Sequence, residues 1–417
     1  MSAHEAAPEI VLDLSRLVSR VLHATPTGVD RVEMAYAREL LARIGDRLAF
    51  GLVHPVLGYG RVSTGAATAF LQATEQRWSA GAGVLPSNRI ELVSRLSRLR
   101  PRRVPPRTGQ RVLIQCSPHH LHRERLVRRI LAREQAAFLV LVHDLIPIEF
   151  PEYARPGGRG THARRIATVE RLADAVVANS HATLRSFLAH AEPRGRSVLS
   201  AVSHLGADRF AASPRQAGGH PYFVSVGTIE PRKNHLLLLH VWREMAREHG
   251  PAHIPKLLLI GRRGWENEQV IDLLERCPLL VGCVEEHGGL DDAQMRDMVA
   301  GARALLLPSF AEGFGMPVPE ALSLGTPVIC SDLPALHEAG GDVPCYLDPL
   351  DGPAWRRAIA AFSDPHGAER SAQLARLSRW SAPSWGEHLS IVLDLAGQLA
   401  RSRWAFPVMP RSVGAGR

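Results

Sequence analysis

Apolar residues in the first half of the chain fall into short blocks separated by longer amphipathic stretches. Ile10–Leu14, Val112–Gln115, Phe138–Val142 and Ala175–Ala178 are compact apolar runs of strand length, whereas Val32–Arg43 repeats its apolar residues at helical spacing. Strands alternating with helices predict a parallel sheet. The pattern breaks after Gly206, where residues 207–220 are polar and rich in Gly and Pro, the composition of a linker. It then resumes, with strands expected at Tyr222–Val226, Leu257–Ile260, Leu279–Val284, Ala304–Leu307 and Pro327–Cys330. Helices are expected at Leu236–Arg247 and Ala293–Ala302. The fold class is therefore α/β: two Rossmann-like doubly wound domains, residues 1–206 and 221–384, facing a central cleft. An amphipathic segment from Trp385 predicts a helix over 385–405 that closes the structure, followed by a tail over 406–417. In such sheets ligands bind beyond the carboxyl ends of the strands, so chemistry is sought just after each strand.

A length of 417 residues exceeds one ordinary core, and 45% hydrophobic content suits a folded protein of two domains. The first residues lack the pattern of a signal peptide, and the chain has no apolar run of transmembrane length, so a cytoplasmic location is expected. Five scattered cysteines suggest neither a disulfide framework nor a zinc site. The net charge of +9 is local, because residues 89–133 hold 13 Arg against Glu91 and Glu124. Within that patch, Leu92–Arg100 and Leu126–Leu131 interleave apolar and basic residues, as a segment docking on an anionic membrane surface would. A solvated basic face accounts for the same residues. Nucleic-acid binding is not expected, since interleaved aromatics are lacking.

Three segments follow strands of the second half. In Gly227-Thr-Ile-Glu-Pro-Arg-Lys-Asn234, Arg232 and Lys233 stand at a helix start, where side-chain charge and helix dipole both favour a diphosphate. Lys233 is one of only two lysines, the other being Lys256. The second segment runs from Pro308 through Glu312-Gly-Phe-Gly-Met-Pro-Val-Pro-Glu320. Gly313 and Gly315 would let a ligand approach the backbone, and Pro317 or Pro319 suits a first helical turn beneath free N–H donors. Glu312 and Glu320 could accept hydrogen bonds from sugar and ribose hydroxyls. An exposed basic turn and a dipole-complementing first-turn Glu explain the same residues without a ligand. The third segment, Gly261-Arg-Arg-Gly264, is a basic turn that could also face phosphate.

The spacing Glu312-x7-Glu320 with Gly325-Thr-Pro-Val resembles the retaining glycosyltransferases of family 4, which have the GT-B fold. The resemblance extends to Gly227–Asn234, Gly288-Gly-Leu-Asp-Asp, Ser331-Asp-Leu-Pro, Thr27-Gly-Val-Asp-Arg31 and His143-Asp-Leu-Ile-Pro147. Its wording is most similar to bacterial mannosyltransferases of surface-polysaccharide assembly. It implies a nucleotide-diphosphate sugar as co-substrate, GDP-mannose first and a UDP-hexose second, and a glycan or polyprenyl-diphosphate-linked acceptor. It also implies that Arg232 and Lys233 hold the donor diphosphate, with Gly227 among the donor-binding residues, Glu320 the ribose, and Glu312 with the backbone of Gly313, Phe314, Gly315 and Met316 the sugar. Gly28 would admit the phosphates, and His143 would face the reacting carbon. Thr228 stands where some members carry a further Arg. With no Asp-x-Asp motif, neither a metal nor another cofactor is expected, and the departing diphosphate would be stabilised by Arg232 and Lys233. Other readings are a non-catalytic nucleotide-sugar binder, an epimerase or a phosphorylase.

Overall fold

The computed structural model describes residues 7–21, 23, 25–79, 98–191, 198–207 and 220–405. Most of the expected linker, the tail, and residues 89–97 of the basic patch lie outside them.

The first domain is a seven-stranded sheet in the order β3-β2-β1-β4-β5-β6-β7, formed by Glu9–Asp13, Leu48–His54, Gly58–Val62, Arg111–Gln115, Ala137–Val142, Ala175–Ala178 and Leu199–Val202, numbered β1 to β7 along the chain. All pairings are parallel except the β2–β3 hairpin. The central strands β4, β5 and β6 are buried throughout, as expected for parallel strands covered by helices on both faces. The hairpin escapes a sequence reading because β3 is glycine-rich. Packing explains this: a Cβ on Gly51 would strike Tyr59 Oη, and one on Gly60 would lie 2.6 Å from Arg102 O.

The second domain is a six-stranded parallel sheet in the order β10-β9-β8-β11-β12-β13, comprising Tyr222–Val226, Lys256–Ile260, Val284–His287, Leu305–Leu307, Val328–Ser331 and Cys345–Leu347 as β8 to β13. The strand expected at Leu279–Val284 forms elsewhere. Pro278–Leu280 is a 3-10 turn whose Leu280 plugs the core, and β10 starts at Val284. The apolar run was a turn anchor, whereas the edge strand itself is the half-buried sequence Val-Glu-Glu-His.

The helix Trp385–Ala405 returns to the first domain. Tyr36 Oη and His388 Nε2 share a 2.6 Å hydrogen bond, and His388 Nδ1 lies 3.1 Å from Ser203 O. Among the described residues no helix is long and apolar enough to cross a membrane.

The basic patch divides by environment. Arg111 is buried, donating to Glu9 Oε2 at 2.6 Å and to Glu134 O at 2.8 Å, beside Arg61, which pairs with Glu134 at 2.6 Å. In the helix Glu124–Glu134, Val127 and Ile130 are buried and Leu126 and Leu131 pack on the core, so the apolar face is committed to the domain. The apolar residues of the Leu126–Leu131 interleaving therefore pack inward. What remains outward is charge, including Arg125, Arg128 and Arg129.

Candidate active site

Strand order brings together what the chain separates. β8 and β11 are neighbours at the point where the second sheet reverses its winding, the usual crevice for a ligand in a doubly wound fold. The segments leaving them, Gly227–Asn234 and Pro308–Glu320, therefore meet. Phe310 N donates to Arg232 O at 2.9 Å, tying one to the other.

Gly227 has φ +150, and a Cβ there would lie 3.3 Å from Lys233 Cε, so its bareness leaves room for the lysine stem. Pro231–Lys233 is a 3-10 turn closed by Asn234 at φ 52, whose side-chain amide donates to Pro349 O at 2.9 Å. This turn aims two cations at one carboxylate. Lys233 Nζ donates to Glu312 Oε1 at 2.6 Å, Arg232 Nη1 to Glu312 Oε2 at 2.8 Å, and Ser309 Oγ to Glu312 Oε1 at 2.7 Å. Arg232 also pairs with Glu230 at 2.7 Å. Burial raises the Glu312 pKa, but the charges of Arg232 and Lys233 and the donated hydrogen bonds outweigh it and hold the carboxyl at about 2. Burial lowers the Lys233 pKa against the opposing pull of Glu312. In this arrangement the two cations expected to meet a diphosphate are held in place by the carboxylate expected to meet a sugar.

In the glycine-rich loop the bare glycines make room for protein. A Cβ on Gly313 would strike His143 O, and one on Gly315, at φ +89, would strike Leu336 Cδ2. These glycines allow protein to approach protein. Gly313 O accepts from Ser180 Oγ at 2.6 Å and Thr183 Oγ1 at 3.0 Å, so the loop docks on the first domain. The Phe314 side chain is buried and stacks on His204 with ring centroids 5.5 Å apart, which removes it from the surface a ligand could touch. Pro317 and Pro319 have no N–H, and Val318 N donates to Gly315 O at 2.9 Å. The first helical turn thus offers fewer donors than the sequence suggested.

His143 follows β5 at the same junction, and Asn179 Nδ2 donates to its carbonyl at 2.9 Å. Its Nε2 lies 2.7 Å from Cys116 O; a carbonyl can only accept, so Nε2 carries the proton and Nδ1 is the acceptor. Burial lowers its pKa, which favours the neutral ring. Gly28 opens the helix Gly28–Ile44, where Thr27 and Asp30 form a reciprocal cap, and a Cβ on Gly28 would meet nothing within 4 Å.

Glu320 and Met316 stand apart from the ion cluster, on the wall of a cavity of about 890 Å³ between the domains. Arg296 lines it from the second domain, and Arg38, Glu75 and Trp78 from the first. At its edge Arg31 grips Asp292 with two hydrogen bonds of 2.9 and 2.6 Å. The structure thus gathers Gly227, Arg232, Lys233, Glu312, Gly313 and His143 at one junction, and places Glu320 with Met316 in the adjoining cavity.

Other contributors were hidden in the sequence. Tyr153 and Phe310 stack across the domains at 5.6 Å, Trp265 Nε1 donates to Tyr153 O at 3.0 Å, and Arg155 lies 4.3 Å over the Trp265 ring. On the first-domain wall, Arg16 and Arg20 flank Asp30 at 2.6 and 3.3 Å. Arg20 Nη2 and Arg165 Nε are buried without a hydrogen-bond partner among the described residues. Burial and then the neighbouring Arg16 lower the Arg165 pKa. The Gly261–Gly264 turn splits its charges: Arg263 pairs outward with Glu286 at 3.0 Å, while partial desolvation, then the charges of Arg20 and Arg155 on the facing domain, lower the Arg262 pKa. Only the Thr27-x-x-Asp30 capping pattern could have signalled this wall.

Two Rossmann-like domains thus meet with the ion cluster and the cavity between them, and comparison with known proteins places this architecture. Residues 207–342 match the family model described as Glycosyl transferases group 1. The chain is 38% identical over 130 residues to O-antigen chain mannosyltransferase B of Escherichia coli, covering 31% of this chain and 33% of that protein. It is 29% identical over 247 residues to the serotype-specific mannosyltransferase WbdA of the same species, covering 55% and 30%. The matched segments thus span about a third of those relatives. Among solved structures, HepE of Anabaena in complex with UDP-glucose superimposes with a TM-score of 0.60 at 15% identity, over 95% of this chain and 99% of that one. The chain therefore has the GT-B fold and a glycosyl transferases group 1 domain, and it is similar to bacterial mannosyltransferases.

Proposed function

We propose that the protein transfers a hexose from a nucleotide-diphosphate sugar to a glycan or lipid-linked acceptor, with retention at the anomeric carbon and mannose from GDP-mannose as the first candidate. The observation that carries this reading is the convergence of Arg232, Lys233 and Glu312 at the β8/β11 switch point, beside the cavity that holds Glu320. Glu320 receives the ribose in this reading. The diphosphate lies against Arg232 and Lys233, and negative charge growing on it as the glycosidic bond breaks meets these two fixed cations. Displaced in part from them, the Glu312 carboxylate accepts from hydroxyls of the sugar. His143, with a proton fixed on Nε2, presents Nδ1 as an acceptor to the sugar. Metal-free catalysis belongs to the proposal, because the cations already supply the required charge.

The arginines of the first-domain wall support an acceptor that is itself anionic, such as a diphosphate-linked glycan. The outward charge of the Glu124–Glu134 helix supports attachment to an anionic membrane surface by charge alone. Salt-sensitive flotation with anionic vesicles tests that attachment, and its absence removes it from the proposal.

The deciding experiment incubates the protein with GDP-mannose and UDP-hexoses, with and without diphosphate-linked glycan acceptors, and measures transfer. Transfer from GDP-mannose supports the reading. Transfer from a UDP-hexose alone replaces the donor, an alternative to which the HepE likeness lends support. Epimerised free sugar nucleotide, or binding without turnover, overturns the assignment.

A further inference from the structure

Away from the ion cluster, His181 opens the helix His181–Ala191 after β6, His204 follows β7, and Glu338 lies on the helix Pro334–Gly340 of the second domain. Their donor atoms converge. Glu338 Oε2 is 2.9 Å from His181 Nδ1 and 3.1 Å from His204 Nε2, and one ligand atom from each residue lies within 4.8 Å of the other two.

We propose that His181, His204 and Glu338 form a binding site for a zinc-class divalent transition metal that joins the two domains. Two imidazole nitrogens and one carboxylate are a donor set that zinc, nickel and copper accept, whereas magnesium and calcium favour oxygen. Zinc held at about 2.0–2.1 Å from nitrogen and oxygen sets ligand–ligand edges of roughly 3.3 Å in a tetrahedron, so the two histidine–Glu338 separations need change by only a few tenths of an ångström, and the edge between the two histidines starts within 4.8 Å. The ligands are also oriented from behind. Glu338 Oε2 accepts from His181 N at 2.6 Å and Oε1 from Ala182 N at 2.9 Å, which fixes the carboxylate at the start of the helix. The His204 ring is stacked on Phe314. Entry is open, with the His181 side chain 63% exposed, and water completes the coordination.

Binding uses the lone pairs of His181 Nδ1 and His204 Nε2, so any proton each shares with Glu338 leaves or moves to the other ring nitrogen. Two ligands come from the first domain and one from the second, and Phe314 belongs to the loop that carries Glu312 and Gly313. The metal therefore clamps the closed arrangement of the domains and steadies that loop from a position outside the chemistry proposed above.

The test is a titration of metal-free full-length protein with zinc against a chromophoric chelator, together with thermal unfolding. One equivalent bound and a raised midpoint are expected, both reversed by excess chelator. His204→Ala and His181→Ala should each weaken binding at least tenfold. Each is compared at a temperature where circular dichroism shows it folded, and His120→Ala should bind as the wild type does. Affinity unchanged in the double variant His181→Ala, His204→Ala, or an absence of one-to-one binding to the wild type, overturns the proposal. Neither readout depends on glycosyl transfer, so the proposed activity can fail while this site stands.

Discussion

Lys233 and Glu312, 79 residues apart in the chain, are joined by a 2.6 Å hydrogen bond between side chains only 9% and 7% exposed. Removing one partner of a buried pair strands the other's charge, and such losses amount to about 3–5 kcal/mol. Glu312→Ala is therefore expected to lower unfolding stability by roughly 3 kcal/mol, read from the denaturant midpoint at constant slope. A loss below about 0.5 kcal/mol would mean the pair is not formed in solution.

Donor binding gives a second expectation. Lys233→Ala and Glu320→Ala should each abolish the rise in melting temperature produced by a nucleoside diphosphate, because in the proposed reading one removes a cation facing the diphosphate and the other the acceptor of the ribose hydroxyls. Full retention of that rise in both would show that the nucleotide lies elsewhere.

Acid and alkali should act through different carboxyls. Glu312 is held at about 2 in the fold, against an ordinary value of 4.5, so its stabilisation is present above 4.5 and is lost as pH falls through about 2. Glu33 behaves in the opposite way. Burial, then the charge of Asp13, raises it to about 8, so the folded state binds the extra proton and stability falls as pH rises from 4.5 to about 8. Burial also raises Asp13, but only to about 6. Glu33→Gln should thus remove the decline between pH 6 and 8, measured by unfolding at each pH. An equal decline in wild type and variant would refute the buried-carboxyl account.

Gly313→Ala tests domain docking. The new methyl group would collide with His143 O, so the loop must retreat from Ser180 and Thr183. Turnover is expected to fall at least tenfold while the circular dichroism spectrum is retained, since the collision lies between domains and not within either core. Wild-type turnover would show that this contact is not used.

Arg165→Ala tests the first-domain wall. Its Nε lacks a hydrogen-bond partner among the described residues and stands in a cationic cleft, so its removal should raise the KM for a diphosphate-linked acceptor about tenfold and leave the donor-induced melting shift unchanged. Loss of the donor shift instead would place the diphosphate of the donor against this wall.

The sequence by itself determined the local chemistry of this protein. Apolar runs such as Phe138–Val142 and Ala175–Ala178 can only be buried strands, and the Arg232-Lys233 turn and the Glu312–Glu320 segment announce themselves by composition and by their place after strands. The tertiary structure decided what those residues face. Hydrophobic periodicity records which side of an element is buried and not which element covers it, so the β8/β11 adjacency that joins Lys233 to Glu312 was not legible. The same holds for Gly313 and Gly315, whose missing side chains make room for His143 O and Leu336, and for Phe314, drawn inward by His204. Arg111 shows it for charge: one letter in a basic run, it is a buried partner of Glu9 and Glu134, because ion pairing is settled by neighbours in space.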